Sequence, residues 1–461
     1  MKKNIKFLAI LLFFIIMAMG AVSADNGTAI DDSSTVALSS GYTVTDSNYG
    51  DFFDDNGNLK DNVADGDTLT LSGEFKGNDF RINKNITLTG NGVTIYNGTV
   101  ALNNGSSGST VSNLKIINLN IVDKTAILLN GVTNCLIINN DVTCSGEKTL
   151  PITLKAGSDF NVISDNSFVS EVYLLRNTNK SNTALLVESS CNNLIKNNYV
   201  EMGDANGIYL QGNSHDCRVI NNTVNCSVIP KSFFCYGIQL MGLNNTVESN
   251  KIIGSFIGIN CNKNANMTNN IIVDVKQSGI MTSGGSTIAN NTLVNCTLKS
   301  AGITVGEGSI VSGNNIDVKG AGHGISANGN NVKIINNTEA GACVYQSSKR
   351  SGLAVSGNNL TSDSGIGINA AKSSDIVITG NNISTSHMYA IDVKAMTSDN
   401  YDIKDNAILG SSLMNTADGD KSAHIYTVDS NNYDNYFDED GNLKDEVGDG
   451  HTLILTGNFT S

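Results

Sequence analysis

A six-residue pattern recurs along most of the chain: an apolar residue, two of any kind, Asn, one of any kind, and a second apolar residue. Its Asn falls at Asn140, Asn166, Asn198, Asn222, Asn250, Asn270, Asn291, Asn314, Asn337, Asn358, Asn381 and Asn406. The last seven gaps are 20, 21, 23, 23, 21, 23 and 25 residues. Three residues before each Asn stands Ile137, Ile163, Ile195, Val219, Val247, Met267, Ile288, Val311, Ile334, Val355, Ile378 or Ile403. Two residues after it stands Val142, Phe168, Val200, Val224, Ile252, Ile272, Leu293, Ile316, Glu339, Leu360, Ile383 or Ile408, and Glu339 alone is not apolar. A chain that returns the same residue types to the same place every ~22 positions is an array of small units, none able to bury its apolar face alone.

A second element lies between successive Asn positions. It reads Gly-Ile-x-apolar at Gly207–Leu210, Gly237–Leu240 and Gly302–Val305, with looser copies at Gly324–Ala327 and Ala390–Val393. These are short alternating strands with one face in and one out. No segment sustains a 3.6-residue period, so helices are expected to be rare. Coiling the chain pairs each strand with its counterpart one repeat later, at about 4.8 Å, and stacks like on like. Ile and Val then fill the interior, and Asn stacks at the bends, where its amide can form ladders. The expected fold is all-β, a right-handed single-stranded parallel β-helix of about 12–15 coils of roughly 22 residues. Longer early gaps of 26, 32 and 28 mark coils with excursions, at 170–183 and 226–236.

Composition agrees with frequent turning. The chain holds 66 Asn, 46 Gly, 2 Pro and no Trp, and Asn and Gly both tolerate left-handed backbone. Lys2, Lys3 and Lys6 precede an apolar run from Phe7 to Met19, and Val22-Ser23-Ala24 precedes Asp25. That is the layout of a secretory signal peptide cleaved after Ala24, which predicts a secreted or cell-surface protein without membrane insertion after cleavage. The formal charge is −14 and falls further when those three lysines leave, so nucleic acid is not an expected partner. Nine cysteines contain no CxxC pair, so neither a zinc site nor any other metal or cofactor is expected. The cysteines read equally as disulfides or as buried thiols.

Tyr49 to Phe75 matches Tyr433 to Phe459 at a constant offset of 384, with 16 of 27 positions identical. The first copy precedes the opening coils at Ile86–Gly90 and Val93–Ile95, and reads as a cap on an edge that would otherwise aggregate. The expected organisation is a signal peptide over 1–24, a polar linker over 25–42, a cap module over 43–80 and the β-helix over 81–420. A second cap unit begins at 425–461, as in a longer tandem protein. The acidic piece Asp54–Asn58 lacks the flanking ligands of a calcium loop, because Phe52 and Val63 occupy those places.

The signal segment, the Gly-Asn-Leu-Lys-Asp cap, the Asn-Ile-Thr-Leu-Thr-Gly opening at Asn85–Gly90 and the Gly-Asn-Asn-Ile coils at Gly313–Ile316 and Gly380–Ile383 together resemble the adhesin-like surface proteins of methanogenic archaea. They also resemble the wider class of right-handed parallel β-helix repeat proteins with a pectate-lyase-like fold. The resemblance covers about residues 43–461. It implies a surface protein whose partners are extracellular or cell-wall glycans or the surfaces of other cells. It is weak for function, because the same coil hosts lyases, hydrolases, epimerases and binding proteins.

Hydrolases of this fold carry a Gly-His-Gly motif with acidic residues and a basic pair. Gly322-His323-Gly324 matches the motif, and His323 is the single weak catalytic candidate. The acidic pair expected one or two coils earlier is missing, and Lys349-Arg350 has another context. Gly324-Ile325 is also simply the Gly-Ile strand of its coil. His215-Asp216 sits at a turn without a third partner for nucleophilic chemistry. The leading expectation is therefore a non-catalytic adhesin-like protein. The alternative is a polysaccharide lyase or glycoside hydrolase working through His323.

Overall fold

The computed structural model describes residues 39–459 apart from 172–182, 203–205, 228–234, 298–299, 320–321, 342–343, 347–348, 364, 371–372, 388, 394–400, 410–412, 416–424, 445–446 and 448–451. The expected signal peptide, most of the linker, the bodies of both excursions and Cys343 lie outside these residues.

The described chain is an all-β parallel solenoid of about 15 turns and about 23 residues per turn. Its regular helix is limited to Tyr49–Phe52 and the 3-10 turns Asp46–Asn48 and Tyr433–Asn435. One coil shows the rule. Leu136–Ile138 belongs to a first sheet of 16 strands, Asp141–Cys144 to a third sheet of 17, and Leu150–Lys155 to a second sheet of 15. Away from the sheet ends, each strand pairs in parallel with its counterpart one coil earlier and one coil later, as Ile137 does with Val111 and Ile163. The residues three before and two after each recurring Asn all point into the tube and are buried.

The step from the first sheet to the third is a two-residue bend. Its first residue has φ between 54° and 65° in all twelve coils: Asn139, Asp165, Asn197, Asn221, Ser249, Asn269, Asn290, Gly313, Asn336, Gly357, Gly380 and Asp405. Side chains other than Asn and Asp pay for left-handed backbone, and Gly adopts it freely, which is why these types fill the position in all of these coils but that of Ser249. The second residue is the recurring Asn, and all twelve are buried.

These twelve form an unbroken amide ladder. From Asn140 to Asn406, the Oδ1 of each Asn accepts the backbone N–H of the preceding Asn at 2.8–3.1 Å. The same Oδ1 accepts the preceding Nδ2 at 2.8–3.0 Å. Each Nδ2 also donates to backbone carbonyls; that of Asn270, for example, reaches the Val247 carbonyl at 2.9 Å. A tight buried bend thus loses no hydrogen bond, as buried polar groups require. The expected ladder exists, but its amides are consumed internally and are not offered to a ligand.

The glycine of the Gly-Ile strands has a packing reason. A Cβ on Gly207, Gly237 or Gly279 would come within 2.3, 2.4 and 2.3 Å of Val224, Ile252 and Leu293, the inward side chains of the third sheet. In these coils the tube is narrow enough at this column that only hydrogen fits. The N-terminal end of the core is plugged by rings instead: Phe80 packs edge-on against Tyr49, Phe53 and Phe75 at 5.5, 5.2 and 5.3 Å.

Glu339 remains in register inside the tube, stacked between Ile316 and Leu360. Neither carboxylate oxygen has a hydrogen-bond partner, and the inward Gln346 of the same coil has none for its amide. The neighbouring Asp317 and Lys319 project outward. Burial alone pushes the Glu339 carboxyl up to about 8, because an apolar surrounding penalises the charged form.

Two outcomes follow from these interiors. Asn270→Ala strips Asn250 of its acceptor and leaves buried donors unpaired, at a cost of about 4 kcal/mol. Asn269→Gly on the exposed neighbour changes stability by less than about 0.5 kcal/mol. Hydrogen exchange coil by coil separates the two, since a solenoid opens locally. Glu339 is protonated in the folded chain while its unfolded form ionises near 4.5. Stability is thus full below that pH, declines as pH rises through about 8, and is level beyond. Glu339→Leu abolishes this decline in thermal melts between pH 5 and 9.

Candidate functional site

The three bends of a coil are unequal. The bend from first to third sheet is fixed at two residues by the ladder. The bend from second to first sheet is closed by a further buried set, in which the N–H of Cys135, Asn161 and Cys217 donates to Asn161, Asn193 and Asn245 Oδ1 at 2.9 Å each. Ser109 and Ser286 play the same part for Ile86 and Ala265. The sequence reading missed this set, although an Asn or Ser two residues before the inward Ile or Val was its signal. The connection from third to second sheet has no such lock and varies freely in length. Both excursions fall in it, between Ser167–Ser170 and Thr183–Glu188 and between Thr223–Asn225 and Tyr236–Leu240.

The outer face of the second sheet, beside these free connections, is therefore where the fold tolerates variation. One outward column runs along it in strict register: Leu186, Tyr209, Gln239, Asn260, Met281, Thr304, Ser326, Tyr345, Asn369 and Asp392. Most of these side chains are half-buried, so each presents one edge to solvent while its stem is held by its neighbours.

His323 stands on this face. It occupies the position just before the Gly column, paired with Ala301, which other coils give to Asn206, Tyr236, Ile257 and Ser278. Its imidazole lies flat on the Tyr345 ring, 4.5 Å away and 7° from parallel. The residue is solvent-exposed, yet the covered face of its ring pulls its pKa below the ordinary value, because shielding from water disfavours the imidazolium. Its ring has no hydrogen-bonded acid or base among the described residues. His323 is brought next to a tyrosine, and not next to the basic pair, since Lys349 and Arg350 lie on the bend toward the first sheet.

His215 Nδ1 and Asp216 Oδ2 are 2.6 Å apart at the same kind of bend, both exposed. The Asp54 carboxylate accepts the backbone N–H of Asn56 and Asn58 at 2.9 and 2.8 Å, and Asn58 Nδ2 at 3.0 Å, so it closes its own turn. Among the described residues no three His, Cys, Asp or Glu side chains gather in a way that fits a metal ion. No described helix is long and apolar enough to cross a membrane. Among the described residues Cys135, Cys144, Cys191, Cys217, Cys226, Cys261 and Cys296 are free thiols, and burial raises those of Cys144 and Cys217 to about 12.

No protein-family model matches the sequence, and no curated protein matches it. The chain is similar to several solved structures. One is a mannuronic acid specific polysaccharide family 6 lyase from human gut microbiota, with 12% identity, a TM-score of 0.45, and 91% of this chain and 92% of that chain covered. Another is a tailspike protein of an E. coli bacteriophage in complex with a hexasaccharide, with 13% identity, a TM-score of 0.45, and 90% and 71% covered. A third is the A-module of a mannuronan C-5 epimerase from Azotobacter vinelandii, with 12% identity, a TM-score of 0.34, and 74% and 91% covered. Likenesses of this degree assign no chemistry to the face described above.

Removing the ring that shields His323 tests the local electrostatics. In Tyr345→Ala the His323 pKa returns upward toward its ordinary value, read by NMR titration of the imidazole; an unchanged titration means that another group shields the ring.

Proposed function

We propose that this chain is an exported, adhesin-like surface protein that holds glycans on the outer face of its second sheet without cleaving them. The observation that carries the reading is the registered column from Leu186 to Asp392, which includes the phenols of Tyr209 and Tyr345 and the amides of Gln239, Asn260 and Asn369. Strand spacing of about 4.8 Å makes the column a regular linear array. A polymer lying along the stack meets a flat ring or a hydrogen-bonding group at most steps. Tyr is suited to this work because it offers a large rigid face together with a polar tip. The half-buried stems lower the entropy lost on binding. Partners of this kind are extracellular or cell-wall glycans, or the glycan-bearing surfaces of other cells.

The alternative is a lyase or hydrolase, and one observation favours it. His323 is held neutral near neutral pH on that same face, a state in which imidazole can take a proton. The geometry places no second acid or base beside it among the described residues, so the binding reading stands first.

The mature chain, Asp25 to Ser461, is mixed with a panel of plant and microbial polysaccharides, and retention and new chain ends are read from the same tubes. Retention without new ends is expected, with Tyr209→Ala combined with Tyr345→Ala weakening it roughly tenfold. New chain ends that vanish in His323→Ala replace the first reading by the second. Absence of both retention and cleavage removes both.

A further inference from the structure

The outer face of the second sheet has a charge pattern of its own. From Tyr209 to Asn369 every member of the registered column is uncharged at neutral pH. A second outward column runs two residues further along the strands, where Gln211, Met241, Asn262, Ser283 and Asn328 are all exposed. Its strands stay bonded there, as the Ser283 N–H is to the Asn262 carbonyl at 2.8 Å. Among the described residues this column is uncharged over the same coils. The other two faces of those coils do carry charge. Arg218, Glu248 and Lys333 point outward from the first sheet, and Lys251, Asp317 and Lys319 from the third. Neutrality is thus a property of the second-sheet face, set by which residues the register turns outward.

The neutral stretch is bordered by acids. Glu188 stands beside Gln211 in the strand register at one end, and Asp392 beside Asn369 at the other. The chain as a whole has a formal charge of −14. His323, on the same face, lies flat on the Tyr345 ring, and burial of its own ring draws it toward the neutral form.

A surface of this kind selects its ligand by charge. A carboxylate or sulfate laid along it leaves water without meeting a cation, and desolvating an unpaired charge costs far more than desolvating a hydroxyl. The face of a Tyr ring is the negative pole of its quadrupole, so Tyr209 is a poor seat for an anion. The acidic borders and the net charge add a longer-range repulsion against any polyanion. A neutral sugar meets none of these costs. Amides and hydroxyls exchange hydrogen bonds with its hydroxyls, and a ring covers its C–H face. Given that this face holds glycans, as proposed above, we infer that its ligand is a neutral polysaccharide, free of uronic acids and sulfate and bound without ion pairs.

The test compares one set of polymers with and without charge. Beads of cross-linked β-glucan, xylan and galactomannan, and the same beads after carboxymethylation, are mixed with the mature chain. At least one neutral polymer is expected to hold the chain roughly tenfold more tightly than its carboxymethylated form. That retention is expected to change less than about twofold between low salt and ~0.5 M NaCl, since no ion pair is there to be screened. The double variant Asn262→Lys with Ser283→Lys places two cations on exposed positions of the face. It is expected to gain salt-sensitive retention on the carboxymethylated beads, and no gain overturns the assignment. Carboxymethylated beads that hold the unaltered chain as well as the neutral ones, or salt that releases it from the neutral ones, also overturn the assignment. Either result leaves the glycan-holding reading standing. Retention on neither kind of bead overturns both.

Discussion

Everything in this structure depends on the buried bend between the first and third sheets. A parallel solenoid must turn its chain sharply inside every coil, and each turn strands a backbone N–H where water cannot reach it. The Asn column resolves this by lending each coil an acceptor from the next. The bond is between coils, so it also fixes the axial register. A slip of one residue would misplace the amide and send every inward side chain outward. The left-handed residue before each Asn completes the bend, and together the two positions take up 18 of the chain's 66 Asn.

Locking two of the three bends leaves the third as the outlet for variation. Connections from the third sheet to the second change length from coil to coil without disturbing the stack, and they border the face on which Tyr209, Tyr345 and His323 stand. The same face is kept close to the third sheet by the glycine column. Its outward side chains are therefore held at strand spacing by a rigid support, which is what a recognition surface for a linear polymer requires.

The interior is not uniform. Rings plug its N-terminal end, aliphatic side chains fill the middle coils, and Glu339 and Gln346 place unpaired polar groups in one later coil. Burial of an acid without a partner is costly, and the chain retains it protonated at neutral pH. The second module repeats the local hydrogen bonds of the first. Local sequence builds the module.

The coil, its period and its inward columns were legible in the sequence because a solenoid makes neighbouring repeats neighbours in space, so spacing along the chain is geometry. Even the exception at Glu339 was visible, and it stayed in register because the flanking strands leave it no other place. The Ser and Asn set at Asn161, Asn193 and Ser286 was harder to see because two residue types share one role. What the sequence could not decide is which polar residues face outward. The Asn amides of the ladder are polar groups that the sequence leaves free to face either way, and folding buried them. Likewise the pairing of His323 with Tyr345 joins residues from successive coils on adjacent strands, a contact set by the width of the tube and the register of the second sheet. Repetition alone determined the architecture; only the assembled stack decided which side chains remained for another molecule to touch, because exposure depends on what the neighbouring coils already satisfy.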